Sequence, residues 1–128
     1  MLVEDSVTVR YRLREILAEI RCFNIVGEYD AAGEAMDAIG PDVPDVLLLD
    51  IKLRAGNGIE VLRHVRRHTP TTKVIVFSQH DDPGYRDQFE RAGADYFFNK
   101  TRETGELIAT LARLAAHSCG RVLVPVVG

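Results

Sequence analysis

Runs of consecutive apolar residues alternate with stripes of apolar residues at helical spacing along most of the chain. The clearest run is Val46–Leu49, which ends at Asp50. A run of this length is too short for a buried helix and is typical of a strand covered on both faces, as in a parallel sheet. Further strands are predicted from similar runs at positions 1–3, 23–29, 73–77 and 94–98.

A helical stripe follows each predicted strand. Ser6 is a candidate N-cap for the first helix, and the pair Asp82 and Pro83 can open the fourth. Glycine and proline residues after the second, third and fourth stripes mark helix ends. In the last helix, from about 103 to 117, we expect Arg102 and Arg113 to be exposed. The predicted inward residues are Leu13, Ile16, Leu17, Ile20, Ala32, Ala35, Met36, Ile39, Ile59, Leu62, Val65, Tyr85, Phe89, Leu107, Ile108, Leu111, Leu114 and Ala115.

Five such β-α units with short connections require right-handed crossovers. They predict an α/β fold with a doubly wound five-stranded parallel sheet and five helices. The 128 residues, 46% of them hydrophobic, suit a single domain, which we place at 1–118. The remaining 119–128 form an apolar tail that we expect to pack back on the domain or to add an edge strand to another copy. The first strand is shorter than the usual length of about 5 residues, so we expect a few native residues to be missing before Met1.

Composition excludes several classes of function. A net charge of −3 and a pI near 5.8 give no electrostatic case for direct nucleic-acid binding. No apolar run approaches the roughly 20 residues that span a bilayer, so no membrane insertion is expected. Cys22 and Cys119 do not form a disulfide framework and are interpreted as reduced thiols in a cytoplasmic protein. The Arg and His residues at 63–68 are interpreted as a solvated helix face.

Polar residues follow the strands at positions that a parallel sheet brings to one edge. They are Glu4, Asp5, Asp50, Ser78 and Lys100. Clustered carboxylates repel one another unless a cation neutralises them, and oxygen ligands favour Mg2+. With a hydroxyl donor and a lysine beside them, such carboxylates form a site that can hold and transfer a phosphoryl group.

These motifs resemble the receiver domain of bacterial two-component response regulators, which has a flavodoxin-like fold. The resemblance covers nearly the whole chain and is carried, in order, by LVEDS, DVLLLDIKL with Gly58, VIVFS and AGADYFFNK. It implies a stand-alone, chemotaxis-regulator-like signalling receiver rather than an enzyme. Such a receiver takes a phosphoryl group from a sensor histidine kinase or a histidine phosphotransfer protein, and then changes conformation to control a partner.

The resemblance also implies a role for each matching residue. Asp50 would be the phosphoacceptor, Ser78 would bond a phosphoryl oxygen, and Lys100 would pair with another. The Mg2+ ligands would be Asp5 directly, Glu4 through water, Asp50, and the backbone carbonyl of Ile51.

Other positions match residues that adjust the response of the family. Phe97 takes the place of the switch aromatic, which moves inward when the hydroxyl residue is drawn to the phosphate. Lys52 and His80 take the places that tune how long the phosphoryl group lasts. Thr101 stands where the family often has a cis-bonded proline after the lysine, so a trans bond is expected.

The expected output surface is the fourth helix with the fifth strand, with a homodimer as a further option. Alternatives stay open at this point. A pseudo-receiver that only binds partners would have the same sequence pattern. An aspartate-nucleophile phosphatase of the haloacid dehalogenase type would have a second Asp where this chain has Lys52. A flavodoxin-like flavin carrier would have Ser, Thr and Gly where this chain has Glu4 and Asp5.

Overall fold

The computed structural model describes residues 2–3, 15, 23–24, 28–29, 31–39, 45–50, 56–78, 83–99, 103–117 and 122–123. The strands are β1 (Leu2–Val3), β2 (Phe23–Asn24), β3 (Glu28–Tyr29), β4 (Val46–Leu49), β5 (Lys73–Ser78), β6 (Tyr96–Asn99) and β7 (Val122–Leu123). The helices are α1 (Ala32–Ala38), α2 (Gly58–His68), α3 (Pro83–Arg91) and α4 (Thr104–His117). Glu15, in the predicted first helix, is helical and exposed.

The main sheet has the strand order β3-β1-β4-β5-β6, and all neighbouring strands are parallel. Its register aligns Val3 with Leu49, Leu49 with Val76, and Val76 with Phe97. The carboxyl ends of these strands therefore meet at one edge of the sheet. The first strand lies between the second and third strands of this sheet, which is the order of flavodoxin-like doubly wound folds. The predicted parallel α/β sheet is confirmed.

Alternate residues of the central strands face opposite sides of the sheet, as the pleat requires. Leu47, Leu49, Val74, Val76 and Phe97 pack in one buried cluster with α1, α2 and α3. The stripes predicted for those helices supply most of its other members, and Val61 joins them without having been predicted. These members are Ala32, Ala35, Ile39, Ile59, Val61, Leu62, Val65 and Phe89. The intervening residues of the strands are buried as well, and α4 contacts β6.

A tight turn at Gly56 and Asn57 precedes α2. Gly56 has a φ of 78°, and a Cβ there would lie 2.6 Å from the Cβ of Ala32, so this approach of α1 to the turn requires glycine. The Asn57 side chain then accepts hydrogen bonds from the N–H groups of Ile59 and Glu60 at 3.0 and 3.3 Å. This N-cap fixes where α2 begins.

An arginine network joins the amino ends of β5 and β6. Arg66 Nε donates to the Gly93 carbonyl at 2.8 Å, and its Nη1 donates to the carbonyls of both Thr72 at 2.8 Å and Pro70 at 3.1 Å. Arg66 also donates to Asp95 at 2.8 Å, and the same Asp95 oxygen accepts from the Val74 N–H at 2.8 Å. We call these residues the Arg66 network.

The Arg66 network requires a glycine at position 93, both for its backbone conformation and for the space beside it. The φ of Gly93 is 107°, and a Cβ at this position would lie 2.9 Å from Arg66 Nε. Glycine therefore both ends α3, as predicted, and leaves room for the arginine.

The interpretation of positions 63–68 as a solvated face is wrong for two of its members. Arg66 makes the contacts just described, and His64 Nε2 donates to the Ile39 carbonyl at 3.0 Å. Arg63 and Arg67 are exposed, as expected. The carbonyls at the carboxyl end of a helix have no partner within that helix. His64 and Arg66 donate to such carbonyls just after α1 and α3.

The predicted strand at 23–29 is confirmed at its two ends, which have different partners. Phe23–Asn24 pairs with Val122–Leu123 in a separate two-stranded sheet, whereas Glu28–Tyr29 pairs with β1. Residues 25–27 lie outside the described part of the chain. Residues 122–123 of the tail thus pair within the same chain, while the proposed domain boundary at 118 stays a prediction.

For Ile108, the predicted inward position on α4 is wrong, while Leu114 is half-buried and the burial of Ala115 lies outside what the structure describes. Ile108 is 38% exposed, whereas Leu107 and Leu111 are fully buried. Each helical residue turns about 100° from the last, so Ile108 lies beside the buried stripe, and Thr110, 4% exposed, occupies it instead. Arg113 is exposed as predicted. Among the described helices, none is long and apolar enough to cross a membrane.

Candidate functional site at the carboxyl edge of the sheet

Asp50, Ser78 and Asn99 lie at the carboxyl ends of three adjacent strands. Asp50 follows β4 directly, and Ser78 and Asn99 are the last residues of β5 and β6. The register aligns Ser78 with Asn99 and places Asp50 level with the residue before Ser78. Because neighbouring strands are only about 4.8 Å apart, these residues belong to one small region.

All three polar residues are buried. Asp50 is 5% exposed, Ser78 is 0% exposed and Asn99 is 4% exposed. Burying a carboxylate is costly unless hydrogen bonds or positive charge compensate it, so a sheet rarely has an acid at such a position without a use. The edge of the sheet around Asp50 is therefore the candidate site.

Several residues predicted for the site lie outside the described part of the chain. They are Glu4, Asp5, Ile51, Lys52, His80 and Lys100. Glu4 follows Val3, which is aligned with Leu49, and Lys100 follows Asn99, which is aligned with Ser78. The structure thus brings Asp50 and Ser78 together, and the roles of the six other residues stay predictions.

The donor types of this site suit a hard cation. Asp50 supplies a buried carboxylate at the end of β4, and carboxylate and carbonyl oxygens are the ligands that Mg2+ prefers. Within the described ranges, no group of three or more His, Cys, Asp or Glu residues could hold a metal ion. Glu4 and Asp5, the predicted further ligands, lie outside the described residues.

Phe97, the predicted switch aromatic, is buried between two side chains of α3. It is 4% exposed. The Phe89 ring packs edge-on against it, with centroids 6.2 Å apart, and the Arg86 guanidinium carbon lies 4.8 Å from the centroid of the Phe97 ring. Arg86 also donates to the Phe97 carbonyl at 3.2 Å. Residues of α3 thus contact both the ring and the backbone carbonyl of Phe97.

Glu103 connects this aromatic to the start of α4. Its Oε1 accepts from Arg86 at 3.0 Å and from the Asn99 N–H at 3.0 Å. In return, the Glu103 N–H donates to the Asn99 carbonyl at 3.0 Å. We call Arg86, Glu103, Asn99 and Phe97 the Arg86 network. It ties α3, the end of β6 and the start of α4 together, on both sides of the sequence position of Lys100.

The electrostatics of Glu103 reflect these contacts. Desolvation by burial raises the pKa of its carboxyl group, but the hydrogen bonds from the Asn99 N–H, from Arg86 and with Glu106, together with the Arg86 charge, outweigh it. The pKa of Glu103 therefore lies below its ordinary value, and Glu103 is ionised at neutral pH.

Sequence reasoning missed Arg86 and Glu103. An acidic residue shortly before the last helix is a weak signal of a cap. Nothing in the local sequence pairs it with an arginine 17 positions earlier, because that contact exists only once α3 and α4 pack beside β6.

A model of the response regulator receiver domain family matches residues 1–112. The chain is similar to the transcriptional regulatory protein DegU of Brevibacillus brevis, with 29% identity over 115 residues that cover 90% of this chain and 49% of DegU. It is similar to response regulator GacA of Pseudomonas aeruginosa, with 26% identity over 116 residues that cover 91% of this chain and 54% of GacA. The chain thus spans about half the length of these curated relatives.

Solved structures agree with the family match. A LuxR-family two-component response regulator from Aurantimonas sp. SI85-9A1 has a TM-score of 0.81 and 28% identity, over 96% of this chain and 86% of that one. The response regulator domain of Thermotoga maritima CheB has a TM-score of 0.77 and 25% identity, over 91% of each chain. These similarities confirm the receiver fold predicted from the sequence. By the match over residues 1–112 and by its fold, the chain belongs to the response regulator receiver domain family.

Proposed function

We propose that Asp50 is the phosphoacceptor of this receiver. Membership of the family supports a phospho-accepting function. The choice of Asp50 rests on one observation, which is a buried carboxylate directly after β4 at the carboxyl edge of the sheet, next to Ser78 on β5. Ligands of open α/β sheets bind at this edge.

The proposed reaction is a transfer from phosphohistidine on a sensor histidine kinase or a histidine phosphotransfer protein. An Asp50 carboxylate oxygen attacks the phosphorus, the new O–P bond forms as the P–N bond breaks, and the electron pair returns to the imidazole nitrogen. The Ser78 hydroxyl donates a hydrogen bond to one phosphoryl oxygen, and Lys100 pairs with another. Such positioned donors stabilise the charge of the transition state.

The residues of the site also fit Mg2+. Asp5, Asp50 and the Ile51 carbonyl would hold it directly, and Glu4 through water. When bound, the ion supplies the positive charge that offsets repulsion between the carboxylates and the phosphoryl group. Lys52 and His80 are proposed to tune how long the phosphoryl group lasts. The chemistry of this chain is then limited to its own phosphotransfer and dephosphorylation.

The proposed output surface consists of α3, β6 and the neighbouring face of α4. β6 is an edge strand of the main sheet, and Tyr96 and Phe98 stack beside each other on it with centroids 6.1 Å apart. Together with Ala109, Thr110 and Arg113 of α4, they line a groove of about 450 Å³. We propose that a downstream protein or a second copy of the chain binds here, in the cytoplasm.

Phosphorylation by acetyl phosphate with Mg2+ tests the proposal. We expect one phosphoryl group per wild-type chain and none in Asp50→Asn. Asp45→Asn is the matched control, because Asp45 directly precedes the same strand at the opposite edge of the sheet and should label like the wild type. Stoichiometric labelling of Asp50→Asn would refute the assignment. Absence of labelling in a folded wild-type protein would favour the pseudo-receiver.

A further inference from the structure

The Arg86 network does more than cross-link two helices, because its arginine contacts Phe97 in two ways. The guanidinium lies over the ring, with its carbon 4.8 Å from the centroid, and a terminal nitrogen donates to the Phe97 carbonyl. A cation over an aromatic face is attracted to it, and the carbonyl bond fixes the strand at the same residue. Arg86 thus acts on the one residue of β6 that is predicted to move.

The position of Arg86 depends in turn on Glu103. Arginine side chains have many rotamers, and ordering one is costly unless several groups hold it. Here the Glu103 carboxylate binds the terminal nitrogen of Arg86 that does not contact Phe97. Because the same oxygen accepts the Asn99 N–H, the carboxylate is itself held by the end of β6.

A second arginine–carboxylate pair on α3 shows what a simple surface contact looks like. Arg91 pairs with Asp87 at 3.1 Å, with the side chains 80% and 57% exposed. The Arg86 and Glu103 side chains are 36% and 24% exposed, and they join three elements rather than one turn of helix. The arginines of the two pairs lie on the same helix, so the Arg91–Asp87 pair can serve as the control for the Arg86–Glu103 pair.

We propose that Arg86 and Glu103 are positioning residues that form a latch, which holds Phe97 in its inward position and so sets the switch of this receiver toward its inward state. The latch rests on the proposed function, because it assumes that Phe97 is the switch. A ligand that favours the inward state then binds more tightly when the latch is intact, since coupling between two sites is reciprocal.

Fluorine NMR of protein labelled with 4-fluorophenylalanine tests the latch without any ligand. The Phe97 signal is assigned by its loss in Phe97→Leu, and Phe77, buried on β5, serves as an internal reference. In Arg86→Met and Glu103→Gln we expect the Phe97 signal to broaden or split and to respond to solvent isotope, while the Phe77 signal stays unchanged. Arg91→Met and Asp87→Asn should leave both signals as in the wild type.

Titration with beryllofluoride and Mg2+ supplies the second readout. We expect Arg86→Met to weaken binding by about threefold to tenfold, because the competent state is less populated, and Arg91→Met to have no effect. Arg86→Lys keeps the positive charge but loses the two-pronged contacts of the guanidinium. Its affinity for beryllofluoride should therefore lie between the affinities of Arg86→Met and Arg91→Met. Thermal melts establish that each variant is folded.

The outcomes separate the latch from the proposed function. If wild-type protein binds beryllofluoride but the Phe97 signal is the same in Arg86→Met, Glu103→Gln and wild type, the latch is overturned. If the Phe97 signal responds in those variants but no variant or wild type binds beryllofluoride, the latch stands as a structural device and the proposed function fails.

Discussion

The Arg66 network and the Arg86 network lie at opposite ends of β6 and share one arrangement. In each, an arginine from a helix binds a carboxylate, and one oxygen of that carboxylate also accepts the N–H at a strand end. Asp95 accepts from Val74 near the start of β5, and Glu103 accepts from Asn99 at the end of β6. The side chains are similarly exposed, at 22% and 29% in the Arg66–Asp95 pair and 36% and 24% in the Arg86–Glu103 pair.

The two networks differ in what else the arginine contacts. Arg66 donates to the carbonyls of Gly93, Pro70 and Thr72, which lie in the turns that precede β5 and β6. Arg86 instead donates to the Phe97 carbonyl and covers its ring. Ligands of parallel sheets bind at the carboxyl edge. The same interaction is therefore structural at the amino edge and, in our proposal, regulatory at the carboxyl edge.

Loss of a buried core side chain should have the largest effect on the free energy of unfolding. Leu111 is fully buried and Ile108 is 38% exposed on the same helix. We expect Leu111→Ala to lower the free energy of unfolding by about 2 to 5 kcal/mol, and Ile108→Ala to lower it by less than about 0.5 kcal/mol. Urea unfolding followed by circular dichroism gives both values. Equal costs would contradict the assigned orientation of α4.

Loss of the Arg66 network is the next largest effect. Arg66→Met keeps the aliphatic stem but leaves part-buried carbonyls and Asp95 without their main donor, so it should lower the free energy of unfolding by about 2 to 3 kcal/mol. Arg67→Met, at an exposed neighbour on α2, is the control and should cost less than about 0.5 kcal/mol. Under conditions in which the Arg66→Met protein is folded, acetyl phosphate should still phosphorylate it at Asp50. If the folded Arg66→Met protein is not phosphorylated, the Arg66 network has a role in the reaction as well as in stability, and the contrast between the two networks is wrong.

Arg86→Met is expected to cost less stability than Arg66→Met. Its ion pair is more than a third exposed on the arginine side, so solvent screening limits the loss to about 1 kcal/mol. Urea unfolding measures this cost, and Arg91→Met is again the control. The contrast between the networks fails if Arg86→Met destabilises the protein as much as Arg66→Met does.

The smallest expected effect is on the pH dependence of stability. The pKa of Glu103 is lowered by folding, so its stabilising contribution is complete above the ordinary value of 4.5 and is lost as the pH falls through the folded-state pKa. Between pH 6 and an acidic pH of about 3, wild type should lose more stability than Glu103→Gln, because only the wild-type side chain takes up a proton in this range. Unfolding curves across this range measure the difference. If the free energy of unfolding changes with pH in the same way in wild type and Glu103→Gln, the contacts of Glu103 do not lower its pKa.

The sequence predicts the parts of this fold that depend on local pattern. β4 and β5 are short continuous apolar runs, and α2 and α3 have periodic stripes with Pro or Gly at their ends, so their positions follow from burial and capping. Asp50 and Ser78 follow from the same reasoning, because strand ends determine which residues meet at the edge. The pairing of 23–24 with β7 and of 28–29 with β1 depends on partners distant in the sequence, which local pattern does not specify.

Long-range contacts of charged side chains are the other part that sequence does not predict. Arg66 and Arg86 both occur among exposed charged residues of their helices, and no spacing rule distinguishes them from Arg67 or Arg91. Their partners lie 29 and 17 positions away, and which arginine reaches a partner is decided by the packing of helices on the sheet. Ile108 shows the same limit for apolar residues, since its position beside the buried stripe depends on the rotation of α4.

The chemistry of the acyl phosphate offers the most direct test of Asp50 as the residue that receives the phosphoryl group. Reduction with borohydride converts an aspartyl phosphate to homoserine, so treatment of acetyl-phosphate-labelled protein followed by peptide mass analysis reads the modified residue itself. We predict homoserine at position 50 in protein labelled with Mg2+ present, and none when Mg2+ is chelated. Homoserine at another aspartate with Asp50 intact would contradict the account.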